Sequence, residues 1–100
     1  MDDKLSNGQI LRHFKAQWND AHDNATNKYL YQVICANATS TEDKEPVVVY
    51  QALYTPFKVW VRPLSMFFEP IDTNKYPKAD LSYQDTRFKI IDINDYHTSL

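Results

Sequence analysis

The stretch that decides the fold is Val47-Val48-Val49-Tyr50-Gln51-Ala52-Leu53-Tyr54, a break at Thr55-Pro56, and then Val59-Trp60-Val61-Arg62-Pro63-Leu64-Ser65-Met66-Phe67. It reads as two β-strands folded back on each other through a tight turn. β-Branched and aromatic residues dominate it, and both suit a pleated, half-buried surface. Successive side chains in a strand point to opposite faces. Val47, Val49, Gln51 and Leu53 therefore form one row, and Val48, Tyr50, Ala52 and Tyr54 the other. Pro46 stands ahead of the first strand, where a missing N–H does little harm. Pro56 demands a turn and pushes Thr55 to an extended conformation. Pro63 ends the second strand, and the short apolar run Leu64–Phe68 fits either a single turn of 3₁₀ helix or a tight bend that plugs one end of the fold.

Outward from this hairpin, Lys28–Ala36 alternates and predicts a strand, with Tyr29, Tyr31, Val33 and Cys35 facing one way. Both of its rows are partly apolar, as expected where a small sheet curls and neither side is fully wet. Arg87–Ile93 alternates again and predicts a last strand. Between Gln9 and Trp18 the pattern is mixed. Ile10, Leu11, Phe14 and Trp18 keep helical spacing, while Ile10, Arg12 and Phe14 also fit a strand, and periodicity alone favours the helix slightly. Residues 1–8 end in Gly8, the chain's only glycine, and read as a loose lead-in. Asn19–Asn27, Asn37–Glu45 and Asp72–Asp85 are polar and turn-forming.

The 100 residues make one domain, able to bury a modest core. Aromatic residues are 14% of the chain, and seven of them are tyrosines. The formal net charge is −2 and the pI about 5.8, which argues against a general electrostatic grip on nucleic acid. Cys35 is the only cysteine, so no internal disulfide and no thiolate metal cage is expected. No apolar run approaches the length of a membrane span. The charged start Met1-Asp2-Asp3-Lys4 lacks the apolar core of a signal peptide. The expectation is a cytoplasmic protein without contact to a membrane.

The residues quoted so far resemble a bacterial family of small domains of unknown function, DUF1653. The hairpin carries most of the likeness, through its Leu53-Tyr54 and its Trp60-Val61-Arg62-Pro63-Leu64-Ser65-Met66-Phe67. Arg12-His13-Phe14-Lys15 after Gly8 resembles the family's opening, and Tyr29 and Val33 resemble its next strand. The resemblance covers roughly residues 8–70. It implies an all-β, SH3-like barrel of five or six strands, with a short 3₁₀ turn at Pro63–Phe67 and no established activity. It also shifts the reading of Gln9–Lys15 from helix to strand. Three departures stand out: an insert at about Gln17–Asn27, no glycine after Tyr54 where the family usually turns on one, and the segment Ile71–Leu100 beyond the usual end. The expected organisation is a lead-in at 1–8, a barrel at 9–70 and an extension at 71–100. The extension would add a strand at 87–93 or a partner-binding arm, including one through which two copies pair.

Candidate site residues are His13, Tyr50, Gln51, Tyr54, Trp60 and Arg62. Tyr50, Tyr54 and Trp60 suit sheet packing first, and are also compatible with an aromatic groove for an extended peptide or for stacked bases. Arg62, between Trp60 and Pro63, can hold a carboxylate or phosphate bidentately; its structural alternatives are a pair with Glu69 or an aspartate, or stacking on Trp60. In a strand, His13 and Lys15 would point away from Phe14, and His13 could join Arg62 and Gln51 on an anion-binding face. Metal binding is disfavoured, because His13, His22, His97 and Cys35 show no ligand spacing. Cys35, among apolar neighbours, reads as inert. No cofactor motif is present, since one glycine excludes a Gly-rich phosphate cradle. The sequence therefore predicts a non-catalytic binding module for a peptide segment of a partner protein or a small anionic group. The rival readings are a small barrel for single-stranded nucleic acid and an enzyme, or enzyme accessory, using His13 as a general base.

Overall fold

The structure, a computed structural model, describes residues 5–19 and 27–92. Five strands form one antiparallel sheet: β1 (Ile10–His13), β2 (Leu30–Thr39), β3 (Pro46–Ala52), β4 (Val59–Pro63) and β5 (Phe88–Ile91). The spatial order is β4-β3-β2-β1-β5. Helical structure among the described residues is confined to 3₁₀ turns, at Phe14–Trp18 and Leu64–Met66. The chain is thus all-β, a curled five-stranded sheet whose end strands β4 and β5 do not pair. The chain beyond them meets through an isolated bridge between Pro70 and Thr86; the sheet is not closed, and its barrel character is loose.

The hairpin pairs as the alternation requires, with Val48 opposite Arg62, Tyr50 opposite Trp60 and Gln51 opposite Val59. Directly opposed residues share a face. Val48, Tyr50 and Ala52 point inward and are buried. Leu11, Tyr31 and Val33 continue that inner face across β1 and β2, and Phe67 and Phe88 fill it from the second 3₁₀ turn and β5. The Phe67 and Phe88 rings stack with centroids 4.7 Å apart.

The expected strand over Gln9–Lys15 stops at His13. The Lys15 N–H donates to His13 Nδ1 at 3.1 Å, and this side-chain cap starts the 3₁₀ turn at Phe14. Phe14 therefore does not alternate with His13; the two rings stack at 4.7 Å. β2 starts two residues later than expected and runs three further. Tyr29 has a positive φ of 69°, which holds it out of the ladder, and register shifts on either side of Cys35 bend the strand while carrying it to Thr39. The shifts also take Cys35 out of the row of Tyr31 and Val33. The lead-in is tied down where it is described: Gly8 N–H donates to the Val33 carbonyl at 2.7 Å, and Asn7 Oδ1 accepts from the Ala36 N–H at 2.8 Å. The final strand is shorter than the expected 87–93. It is nevertheless part of the barrel, since β5 pairs with β1 over four residues. Residues 1–4, most of the insert and the tail from Ile93 lie outside the described residues.

In the β3–β4 turn the Thr55–Pro56 peptide is cis, and Phe57, close to where the family usually has a glycine, carries φ 60°. This left-handed conformation brings Cβ too close to the following carbonyl oxygen. Replacing Phe57 with glycine is expected to stabilise the domain by about 0.5–1 kcal/mol, the relief of that clash less the extra freedom of the unfolded chain; a denaturant midpoint that does not rise would contradict the assignment. Phe88→Ala is expected to cost about 3–5 kcal/mol in the same measurement, because a large ring leaves a closed core.

Candidate functional site

The inner face holds more than hydrocarbon. Tyr31 and Tyr54 share a hydroxyl–hydroxyl hydrogen bond of 2.6 Å. Tyr29 lies 5.8 Å from Tyr54, and Tyr50 lies 5.6 Å from Tyr31 by ring centroid. Tyr50 also meets Phe67 and Phe88 edge to face, each at 5.3 Å. These edge-to-face contacts suit the ring quadrupoles and fix the tyrosines in place. Burial pushes the Tyr31 hydroxyl well above its ordinary pKa, and the hydrogen bond with Tyr54 adds to this. Burial also raises Tyr50, although the nearby guanidinium groups of Arg62 and Arg87 oppose the shift.

Those two arginines converge on one carboxylate oxygen. Arg62 Nη2 donates to Glu69 Oε1 at 2.6 Å and Arg87 Nη2 donates to the same atom at 3.0 Å. Arg87 Nε adds a bond of 3.3 Å, and Arg62 Nε donates to the Met66 carbonyl at 3.3 Å. Arg62 comes from β4, Glu69 from beyond the second 3₁₀ turn and Arg87 from just before β5, so the triad spans the open seam of the sheet. Burial raises the Glu69 carboxyl, and the bonds from Arg87 and Arg62 outweigh it, so the group titrates below its usual range. Two cations on one anion leave a surplus positive charge, and all three side chains remain between 21% and 32% exposed.

His13 completes the cluster. It is 9% exposed, stacked on Phe14 and edge-on to Phe88 at 5.2 Å. Burial, with Arg87, Lys15 and Arg62 nearby, lowers its pKa to about 3. The ring is therefore neutral at pH 7. Because Nδ1 accepts the Lys15 N–H, the neutral ring carries its proton on Nε2 and offers a donor there.

Of the residues singled out in the sequence, His13, Tyr50, Tyr54 and Arg62 gather in this cluster. Trp60 shares a face with Tyr50 by register, yet it is exposed while Tyr50 is buried; Lys58 Nζ sits 5.4 Å above its ring. Gln51 is on the opposite face of β3, where its Nε2 donates to the Phe57 carbonyl at 3.0 Å and braces the turn. Sequence reasoning missed Arg87 and Gln84. Gln84 is buried, accepts from Arg12 Nε at 2.9 Å and donates to the carbonyls of Arg12, Thr86 and Arg87, which fastens the loop before β5 to β1. A polar residue in a polar loop gives no signal of burial. A recess of about 480 Å³ runs between Phe68 and β5 beside Leu81–Thr86, and none of the sequence-predicted site residues lines it. Among the described residues no three His, Cys, Asp or Glu side chains gather as a metal site; His22 and His97 lie outside them. Among those residues, no helix is long and apolar enough to cross a membrane.

Fold and cluster together define a small antiparallel β domain with an inner group of tyrosines, a neutral histidine, and an arginine pair at the seam of the sheet. The family model described as protein of unknown function (DUF1653) matches residues 9–90, and the chain belongs to that family. The match runs past residue 70 and takes in most of β5. No curated protein and no solved structure matched the chain.

The His13 shift has a stability consequence. The folded pKa lies below the unfolded value of about 6.5, so the unfolded chain takes up a proton first as the pH falls. Its contribution is complete above pH 6.5 and is lost between there and pH 3. From pH 7 to pH 5 this amounts to about 2 kcal/mol. In urea titrations His13→Asn, which keeps an acceptor for the Lys15 N–H, is expected to lose about that much of the pH dependence. An unchanged slope would refute the assignment.

Proposed function

We propose that this domain is a non-catalytic binding module whose seam cluster takes a small anionic group, a carboxylate or a phosphate. The observation that carries this reading is the convergence of Arg62 and Arg87 on a single Glu69 oxygen. It leaves surplus positive charge within reach of solvent, near enough for both arginines to act on Tyr50 and His13. Arginine forks match planar oxyanions, and bonds to charged groups are stronger than neutral ones. The half-buried Tyr54 and Tyr29 supply an aromatic wall for the body of a ligand. His13 favours binding over catalysis, because a ring whose pKa is about 3 is a weak base at neutral pH. The acidic pI counts against single-stranded nucleic acid as the ligand.

The test uses inorganic phosphate and acetate, titrated separately into isotopically labelled protein and followed by NMR. Saturable shifts are expected at the Arg62 and Arg87 Nε–H groups with at least one of the two anions. Arg62→Gln should weaken them about tenfold or more. Glu69→Gln, which removes the competing carboxylate, should strengthen them. No saturable shift with either anion, or indifference to both substitutions, would overturn the reading.

A further inference from the structure

Six of the nine large apolar side chains that stand exposed among the described residues fall in one short stretch: Phe57, Val59, Trp60, Val61, Leu64 and Met66. At its centre is β4, an end strand bonded to β3 alone. Val59 is 55%, Trp60 45% and Val61 62% exposed. The Ala52 N–H donates to the Lys58 carbonyl at 2.8 Å, and in an antiparallel ladder the bonded pairs recur at every second residue. Trp60, opposite Tyr50, and Arg62, opposite Val48, therefore turn their backbone groups toward β3. Val59 and Val61 turn theirs outward. A strand edge with free backbone groups is a template for another strand.

Charge decides what kind of strand. Residues 46–68 contain Lys58 and Arg62 and no aspartate or glutamate, in a chain whose net charge is −2. Alternation places Lys58, Trp60 and Arg62 on one face, and the Lys58 ammonium over the Trp60 ring agrees with this. A second copy of the chain fits poorly. Two-fold antiparallel pairing that matches Val59 with Val61 would also set Lys58 against Arg62 on both sides of the axis, and like charges directly opposed are destabilising. Lys58 and Pro63 flank the apolar centre and guard against self-pairing in the same way. We propose that the outer edge of β4 receives an extended segment of a partner protein as a sixth strand. That segment carries acidic residues four apart, facing Lys58 and Arg62. An aromatic or apolar residue between them meets Trp60, and apolar residues at the intervening positions meet Val59 and Val61. This surface shares Arg62, which is bonded to Glu69, with the anion site; what sets strand addition apart from anion binding is the backbone of Val59 and Val61, which the N-methylated twin probes.

The probe is a blocked seven-residue peptide with the core Glu-Val-Tyr-Val-Glu, alongside a twin with lysine for glutamate and a twin N-methylated at the backbone amides that would face β4. The acidic peptide is expected to bind saturably and to slow hydrogen exchange at the Val59 and Val61 amides. Both twins should bind at least tenfold more weakly. Val61→Pro should abolish binding, since it removes only an outward N–H, and Val61→Glu, which leaves the backbone intact, should weaken it by charge repulsion. Binding that survives N-methylation would overturn strand addition. The same exchange protection appearing with protein concentration alone would replace the partner with a second copy. No binding of the acidic peptide would end the proposal.

Discussion

The sheet has two unpaired ends, and what holds them near each other is the contact between Phe67 and Phe88 beneath the Arg62–Glu69–Arg87 triad. The two layers contribute differently. The ion triad is partly exposed, and pairs of that kind are worth about 1 kcal/mol or less each. The Phe88 ring is closed off on all sides, and deleting such a ring costs about 3–5 kcal/mol. The aromatic stack therefore does more to hold the two ends near each other, while the triad fixes where the charges lie between them. Glu69 also accepts the Arg87 backbone N–H through its carbonyl, at 2.9 Å. This single residue aligns the chain after the second 3₁₀ turn with the chain entering β5.

From that closure follows the electrostatic character of the interior. Packing His13 against Phe14 and Phe88 removes water from the ring, and two arginines nearby make a proton there more costly still. The ring responds by staying neutral, as a buried base with no carboxylate partner does. Its Nδ1 is taken by the Lys15 N–H, so the donor left over is directed elsewhere. A tyrosine network beside it, fixed by edge-to-face contacts, presents hydroxyls without charge. The interior thus keeps its polar groups uncharged, while the charged groups of the triad stay partly exposed.

Local preference is overridden in places. Tyr29, Lys44 and Phe57 hold left-handed backbone without being glycine, and the apolar centre of β4 is left exposed at a sheet edge. Strained or exposed features persist where the surrounding structure over-determines them, and they concentrate at functional surfaces. Tyr29 lies within the aromatic cluster and Phe57 begins the stretch that leads into β4, whereas Lys44 stands in the exposed turn between β2 and β3.

The sequence by itself determined the central hairpin, because alternation of period two together with Pro46, Pro56 and Pro63 leaves little choice of register or ends. It also determined the all-β class, the 3₁₀ turn after Pro63 and the kinship with the family, since these rest on local patterns in contiguous residues. It singled out His13, Tyr50, Gln51, Tyr54, Trp60 and Arg62 as candidates, but not which of them meet. Only the tertiary structure decided that Gln51 faces away, that Tyr50 is sealed while Trp60 is exposed, and that His13 caps a turn instead of extending a strand. Arg87 and Gln84 came from segments that read as a late strand and a polar loop. Their roles arise from contacts with residues far away in the chain: Glu69 is 18 positions away from Arg87, and Arg12 is 72 from Gln84. Such pairings depend on how the sheet curls, and no local pattern encodes that curvature.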